Sequence, residues 1–340
     1  MSDLSNTYQG IVYKKSTGHY WVNAGEETIV CSISSKLRRE LIYPIKMHSK
    51  PKYMQKVMAT DDIHAVDPVA IGDMVEFVEA EESGTDNRSG MILNVLPRKS
   101  KLTRGASGKK PLEQVVVANL DQIVAVLSCA QPKPKWGMLD RYLVSAESCE
   151  VPAVICMTKF DLVKGNRAEA EILKEVEYFR SIGYTVLVTS ADDGTGLEDF
   201  KLAIGGKMSA LVGMSGVGKT SILNAIQPGL GLRVNEVNTN IDKGRHTTTH
   251  LEMFPLDMGG AIVDTPGMKV FGLWESASED IQLLFREMAS YAGKCRFGFS
   301  CSHEHEPSCA IKRAVEDGMI SPRRYKSFLA IREHPEAEAD

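Results

Sequence analysis

A chain of 340 residues with 43% hydrophobic and 25% charged side chains has room for two or three domains with ample core. Its formal net charge of -4 excludes a protein that coats nucleic acid over its whole surface, while leaving room for local basic patches. The opening residues Met1-Ser2-Asp3-Leu4 lack a basic and apolar leader. The best apolar run, Val115 to Ala130, is broken by Asn119, Asp121 and Gln122, so no membrane partner and a cytoplasmic location are expected.

From Tyr8 to about Leu96 the pattern is short strands with turn signals and little helical period. Gly10–Tyr13, His19–Val22, Thr28–Cys31, Asp73–Phe77 and Met91–Val95 predict an all-β, five-stranded barrel over 1–96. The oligonucleotide-binding barrel is one such fold, which makes RNA a candidate ligand, although small barrels serve many functions. Leu41 to Ala70 reads as a long loop whose Lys46, Lys50, Lys52 and Lys56 either touch phosphates or are simply solvated. A basic linker follows over 97–113. Arg98, Lys99, Lys101, Arg104, Lys109 and Lys110 suit a polyanionic partner, or serve solubility alone.

Over 114–274 strands alternate with helical patterns. Apolar runs at Ile123–Leu127, Ala153–Met157, Thr185–Val188, Ala210–Val212 and Ala261–Val263 are separated by helical patterns such as Leu139–Glu147 and Ala168–Ile182, the signature of a mostly parallel α/β sheet. Between one such strand and a helix lies Gly213-Met214-Ser215-Gly216-Val217-Gly218-Lys219-Thr220, followed by Ser221, which matches the phosphate-cradling P-loop. Its glycines let backbone N–H groups turn onto phosphate oxygens, and the helix N-terminus adds positive charge. Lys219 is expected to reach the β- and γ-phosphates, and the Thr220 hydroxyl to ligate Mg²⁺.

Three more strand ends carry chemistry. Ala261–Val263 runs into Asp264-Thr265-Pro266-Gly267, whose carboxylate suits Mg²⁺ and whose Gly267 N–H suits the γ-phosphate. The polar loop Asn235–His250 contains Gly244-Arg245-His246-Thr247-Thr248-Thr249, where Thr247 and Thr248 are expected at the nucleotide and Thr248 at Mg²⁺. Thr158-Lys159-Phe160-Asp161 reads as the base-selecting motif. Asp161 accepts from guanine N1–H and the exocyclic amine, whereas adenine offers an acceptor at N1. The Lys159 stem can stack over the base, and Thr158 stands where usual GTPases carry Asn. Ser190 and Ala191, after the strand Thr185–Val188, match the short loop that backs guanine. The base-selecting motif precedes the P-loop instead of following the D-x-x-G strand, so the order implies a circularly permuted GTPase.

Residues 275–340 are expected to form a helical zinc-binding module. Ser276-Ala277-Ser278-Glu279 resembles a capping box, after which Ile281, Leu284, Phe285 and Met288 share one helix face. Cys295, Cys301, His303 and Cys309 then supply three thiolates and an imidazole, a closed set for one structural Zn²⁺, with His305 as an alternative to His303. Cys31, Cys129, Cys149 and Cys156 sit in apolar runs and read as buried thiols. The basic tail residues Lys312, Arg313, Arg323, Arg324, Lys326 and Arg332 either contact RNA or are solvated.

At this point the chain resembles the ribosome small-subunit-dependent GTPase A family of bacterial ribosome-assembly proteins. The resemblance rests on Ala118–Ile123, Leu139–Val144, the permuted motif order, Gly244–Thr249, Phe271-Gly272-Leu273-Trp274 and the cysteine cluster, and covers nearly the whole chain. It implies an oligonucleotide-binding barrel, a permuted GTPase and a zinc module. It also implies slow GTP hydrolysis stimulated by the small ribosomal subunit, and a role in late maturation on its rRNA, as a monomer. The family's C-x-H pattern favours His303, and the gap from Cys295 to Cys301 is one residue longer than the family's. Met268 occupies the place of the water-positioning Gln of many GTPases and cannot orient water, so by resemblance His246 becomes the candidate catalytic group beside Lys219. Two other readings stand beside this one. The first is a GTP-regulated RNA-binding protein with incidental hydrolysis; the second is an ATP-using P-loop enzyme, against which Asp161 argues.

Overall fold

The structure is a computed structural model and describes residues 7–16, 18–25, 27–34, 37, 69–80, 88–105, 113–230, 252–264 and 281–334. These fall into two compact units, one within Met1–Leu120 and Thr248–Phe254, the other within Asp121–Thr247 and Pro255–Asp340. No helix among the described residues is long and apolar enough to cross a membrane.

In the first unit, β1 (Tyr8–Ser16), β2 (His19–Ala24), β3 (Glu27–Ile33), β4 (Met74–Ala80) and β5 (Ser89–Val95) form the expected five-stranded barrel. Pairing runs β1–β2–β3–β5–β4 and closes through β4 on β1; β3–β5 is parallel and the others antiparallel. Closure leaves no free sheet edge within the set. Alternation decides what faces inward: Val12, Tyr20, Val22, Ile29, Cys31, Val75, Phe77 and Ile92 fill the interior. Gly10 permits the closest strand approach, because a Cβ there would stand 2.5 Å from Val22 Cγ1 and 2.7 Å from the Asn23 carbonyl oxygen.

The stretch expected to be a basic linker is partly built into this unit. Its residues Lys101–Gly105 are a strand, β6, paired antiparallel with β7 (Glu113–Ala118). Arg98 does not project freely. Its Nε and Nη2 donate to the two carboxylate oxygens of fully buried Asp73 at 2.7 and 2.8 Å, and Asp73 also accepts from Ala70 N–H. Strand β12 (Glu252–Pro255) meets β1 at Glu252, which pairs with Lys14.

The second unit is built on β8 (Gln122–Ser128), β9 (Ala153–Thr158), β10 (Thr185–Val188), β11 (Lys207–Val212) and β13 (Gly260–Asp264). They lie in the order β10-β9-β8-β11-β13, every neighbouring pair parallel. Strands β8 and β9 are buried along their whole length, which is why they read as unbroken apolar runs. The connecting helices are α1 (Trp136–Ser148), α2 (Arg167–Ser181), α3 (Leu197–Ile204) and α4 (Lys219–Ile226). Val124, Val126, Phe200, Leu211, Val217, Ile222 and Ile262 form one core beneath the site.

The C-terminal helices α5 (Arg286–Ala289), α6 (Ala310–Glu316) and α7 (Pro322–Glu333) belong to this same unit. Ile281, Phe285 and Met288 are buried as their spacing predicts, but the backbone is a 3₁₀ turn over Ile281–Leu284 followed by the short α5, not one helix. Their core includes Val144 of α1, together with Ile311, Phe328 and Ile331.

The basic tail is corrected in two places. Arg324 is fully buried: Nη1 donates to Asp140 Oδ1 at 2.9 Å, while Nε and Nη2 donate to Glu287 at 2.6 and 2.9 Å. Arg323 donates to Asp140 Oδ2 at 2.6 Å and to Glu175. Both therefore fasten α7 to α1, α2 and α5, and neither is a free RNA contact.

Candidate functional site

All the parallel strands of the second unit point their carboxyl ends the same way, so the loops after β9, β10, β11 and β13 share one edge. The register places Ser128 opposite Thr158, Val212 opposite Ala125, and Leu211 opposite Asp264. Motifs far apart in the chain are thus neighbours.

The P-loop leaves β11 at Gly213 and enters α4 at Lys219. A Cβ on Gly213 would lie 2.5 Å from the Val126 carbonyl oxygen, so only glycine lets the loop leave this close to β8. Gly216 and Gly218 have positive φ, +77° and +96°, which favours glycine. Val217 plugs the core beneath the loop. The Lys219 ammonium folds back on its own loop, donating to the carbonyls of Gly213 at 2.6 Å and Met214 at 3.0 Å. Met214, Ser215, Thr220 and Ser221 complete the segment, and the Ser215 side chain is exposed.

The end of β9 is tied directly to this loop. The Thr158 hydroxyl donates to the Val217 carbonyl, and the Lys159 ammonium donates to the carbonyls of Gly216 (2.7 Å) and Gln131. Burial pushes the Lys159 pKa down, and the nearby Asp161 carboxylate acts against it. Lys159 lies in the left-handed region, φ +55°, from which the 3₁₀ turn Phe160–Leu162 starts. Buried Ser190 donates its hydroxyl to Asp161 Oδ1 at 2.6 Å and accepts from the N–H groups of Asp192 and Asp193. Phe160 N–H donates to the Thr189 carbonyl, and exposed Ala191 follows. Thr158–Asp161 and the Ser190 loop are therefore one hydrogen-bonded body.

Gln131 is a contact that motif reading does not single out, because it acts through a main-chain oxygen that any residue carries. His246, Thr247, Thr248, Gly267 and Met268 lie outside the described residues, as do Lys46, Lys50, Lys52, Lys56 and the capping box Ser276–Glu279. Asp264 is described as the last residue of β13, its side chain excluded.

The second constellation is the cysteine cluster. One ligand atom from each of Cys295, Cys301, His303 and Cys309 lies within 4.8 Å of the others, and all four residues are buried. The longer gap between Cys295 and Cys301 is taken up by the 3₁₀ turn Gly298–Ser300, and Cys295 joins the set. Exposed His305 lies outside it; its imidazole contacts Glu304. Main-chain donors face the sulfurs, among them Ala310 N–H to Cys295 at 3.3 Å and Lys312 N–H to Cys309 at 3.5 Å. Burial pushes the Cys301 thiol up to about 12 and raises the Cys309 thiol as well. Burial, aided by the Arg332 guanidinium, lowers the His303 pKa. Three buried thiols and an imidazole fit a divalent cation, whose charge lets thiols ionise where burial alone opposes it.

Fold and site together define a P-loop GTPase whose sheet is joined in circularly permuted order. The family model described as RsgA GTPase matches residues 95–274. The chain is 40% identical over 269 residues to the small ribosomal subunit biogenesis GTPase RsgA of Saccharophagus degradans, covering 77% of this chain and 75% of that one. It is 32% identical over 323 residues to the protein of the same description from Alkaliphilus metalliredigens, covering 95% and 96%. Among solved structures it is similar to YjeQ from Thermotoga maritima, with TM-score 0.70 and 31% identity over 96% of this chain and 98% of that one. It is also similar to YloQ, a circularly permuted GTPase, with TM-score 0.66 and 27% identity over 98% and 96%. The chain belongs to the RsgA GTPase family.

Proposed function

We propose that this protein hydrolyses GTP to GDP and phosphate under stimulation by the small ribosomal subunit, and acts in that subunit's biogenesis as a late assembly checkpoint on its rRNA. The observation that carries the reading is the joining of Thr158 and Lys159 to the P-loop carbonyls of Val217 and Gly216, which supports Thr158–Asp161 as the guanine-reading segment of this P-loop. The barrel of 1–96 would hold rRNA, with 97–113 as connector, 114–274 as the GTPase and 275–340 as the zinc module. Cytoplasmic monomer is the working state.

In this reading the main chain of Gly213–Gly218 and the Lys219 ammonium bind the phosphates. Asp161 accepts from guanine N1–H and its amine, Lys159 and Phe160 flank the base, and Ser190 and Ala191 back it. Lys219 exchanges its two loop carbonyls for phosphate oxygens when GTP enters. Thr220, Thr248 and Asp264 would hold Mg²⁺, which supplies charge neutralisation of the β- and γ-phosphates when bound. Thr247, Thr248 and Gly267 sense the γ-phosphate, and His246 orients the attacking water. Zn²⁺ on Cys295, Cys301, His303 and Cys309 would have a structural role, since a closed four-ligand set leaves no open position.

Steady-state hydrolysis of GTP and of ATP, with and without small and large ribosomal subunits, tests the reading. Stimulation by small subunits alone, with GTP preferred, is expected. Tight GTP binding without stimulated turnover would replace it with GTP-regulated RNA binding. His246→Ala in single-turnover assays with small subunits is expected to remove most of the stimulated rate, and unchanged turnover would remove His246 from the mechanism.

A further inference from the structure

The His303 imidazole is held from two sides, and its second holder lies outside the metal-ligand pattern. Nδ1 faces the Cys295 and Cys309 sulfurs at 3.5 and 3.3 Å, whereas Nε2 stands 2.8 Å from Oε1 of Gln282. Both side chains are 2% exposed, so water does not compete for this contact. Gln282 is set by its backbone: it lies in the 3₁₀ turn Ile281–Leu284, between Ile281 and Phe285, both fully buried in the core that also holds the three cysteines. An amide oxygen only accepts, so this contact calls for a proton on Nε2 and leaves Nδ1 as the ring nitrogen that faces the sulfurs.

We propose that Gln282 is a positioning residue for the metal centre, fixing the tautomer and ring orientation of His303 so that Nδ1 is the atom that binds the ion. The inference rests on the zinc reading of the cluster. It also gives a reason for a polar side chain buried at a position whose neighbours are apolar. An outer partner of a metal-bound histidine raises the basicity of the ligand and restricts its ring, and losing one weakens metal binding by about 10- to 100-fold.

Two measurements on the full chain test it. Zinc affinity is read by competition with a chromophoric chelator, comparing the natural chain with Gln282→Leu, which keeps volume and removes the acceptor. A loss of roughly 10- to 100-fold is expected. Equal affinity would overturn the proposal. Independently, the zinc-loaded natural chain is examined by long-range ¹H–¹⁵N spectroscopy of His303, which requires no variant to fold. A protonated Nε2 with a metal-bound Nδ1 is expected, and a proton on Nδ1 would overturn it. Failure of the natural chain to take up zinc at all would overturn the metal reading itself, and this inference with it.

Discussion

Thr158 shows how one residue exchange is absorbed. A usual GTPase carries Asn here, and the shorter threonine still reaches the P-loop because its hydroxyl donates to the Val217 carbonyl while the side chain is buried. In the proposed function, discrimination of the base falls to Asp161. Asp161→Asn keeps an oxygen for Ser190 but loses the charged acceptor, and is expected to weaken GTP binding by about 2 to 3 kcal/mol, roughly 30- to 150-fold. Xanthosine triphosphate, which presents a carbonyl where guanine has its amine, should bind the variant better than GTP does; calorimetry with both nucleotides checks this. Asp193 gives a pH prediction at the same scale. Hydrogen bonds from Thr195, led by its hydroxyl, lower the Asp193 pKa from an ordinary 3.8 to about 2. A folded pKa below the unfolded one contributes stability that is present above 3.8 and lost as pH falls toward 2. Thr195→Val is expected to raise the Asp193 pKa toward 3.8 in a carboxyl ¹³C titration, and an unmoved midpoint would refute the assignment.

Between elements, the strongest joint is electrostatic. Arg324 on α7 is buried with Asp140 on α1 and Glu287 on α5. Burial works against its charge, but the two carboxylates outweigh it and hold its pKa above the ordinary range. Removing Arg324 takes this guanidinium from the buried Glu287 side chain while Asp140 keeps Arg323, and breaking a buried pair costs about 3 to 5 kcal/mol. Arg324→Ala is therefore expected to lower the unfolding midpoint of the second unit in urea, and Arg324→Ala with Asp140→Ala to cost less than the sum of the single changes. Additive effects would show that the pair does not interact. A second joint, Arg286 Nε to Glu147 Oε1 at 2.6 Å with its guanidinium 3.9 Å from the Tyr184 ring, also connects α5 to α1.

For the whole molecule, chain order and spatial order separate. The strand carrying the base-selecting motif comes early in the chain and lies two places from the P-loop strand, with β8 between. The sheet is indifferent to which loop is cut, because parallel pairing depends on register and burial and not on where the termini fall. The C-terminal helices share a core with α1, so an ion held by the cysteine cluster, as proposed, would stabilise part of the unit that carries the P-loop. Chelation of the metal is expected to raise hydrogen exchange across 281–334 while leaving β8, β9 and β11 protected. Uniform protection after complete metal removal would show that the cluster contributes no folding energy.

Local rules were enough for the barrel strands, the parallel strands and the P-loop, but not for β6 or the 3₁₀ turn Ile281–Leu284. Barrel strands follow from alternation, buried parallel strands from unbroken apolar runs, and the P-loop from glycines whose backbone geometry no other residue takes at low cost. The permuted order was also legible, because it is a statement about sequence. What required tertiary structure was the use of polar groups whose partners are distant in the chain. Arg98, Arg323 and Arg324 read as basic surface until Asp73, Asp140, Glu175 and Glu287 appear beside them. The choice of His303 over His305 followed from a family pattern in the sequence, but its physical reason is burial and the reach of Gln282. A charge or an imidazole carries no local mark of whether it will be solvated or paired, since that depends on desolvation by elements that sequence spacing does not place.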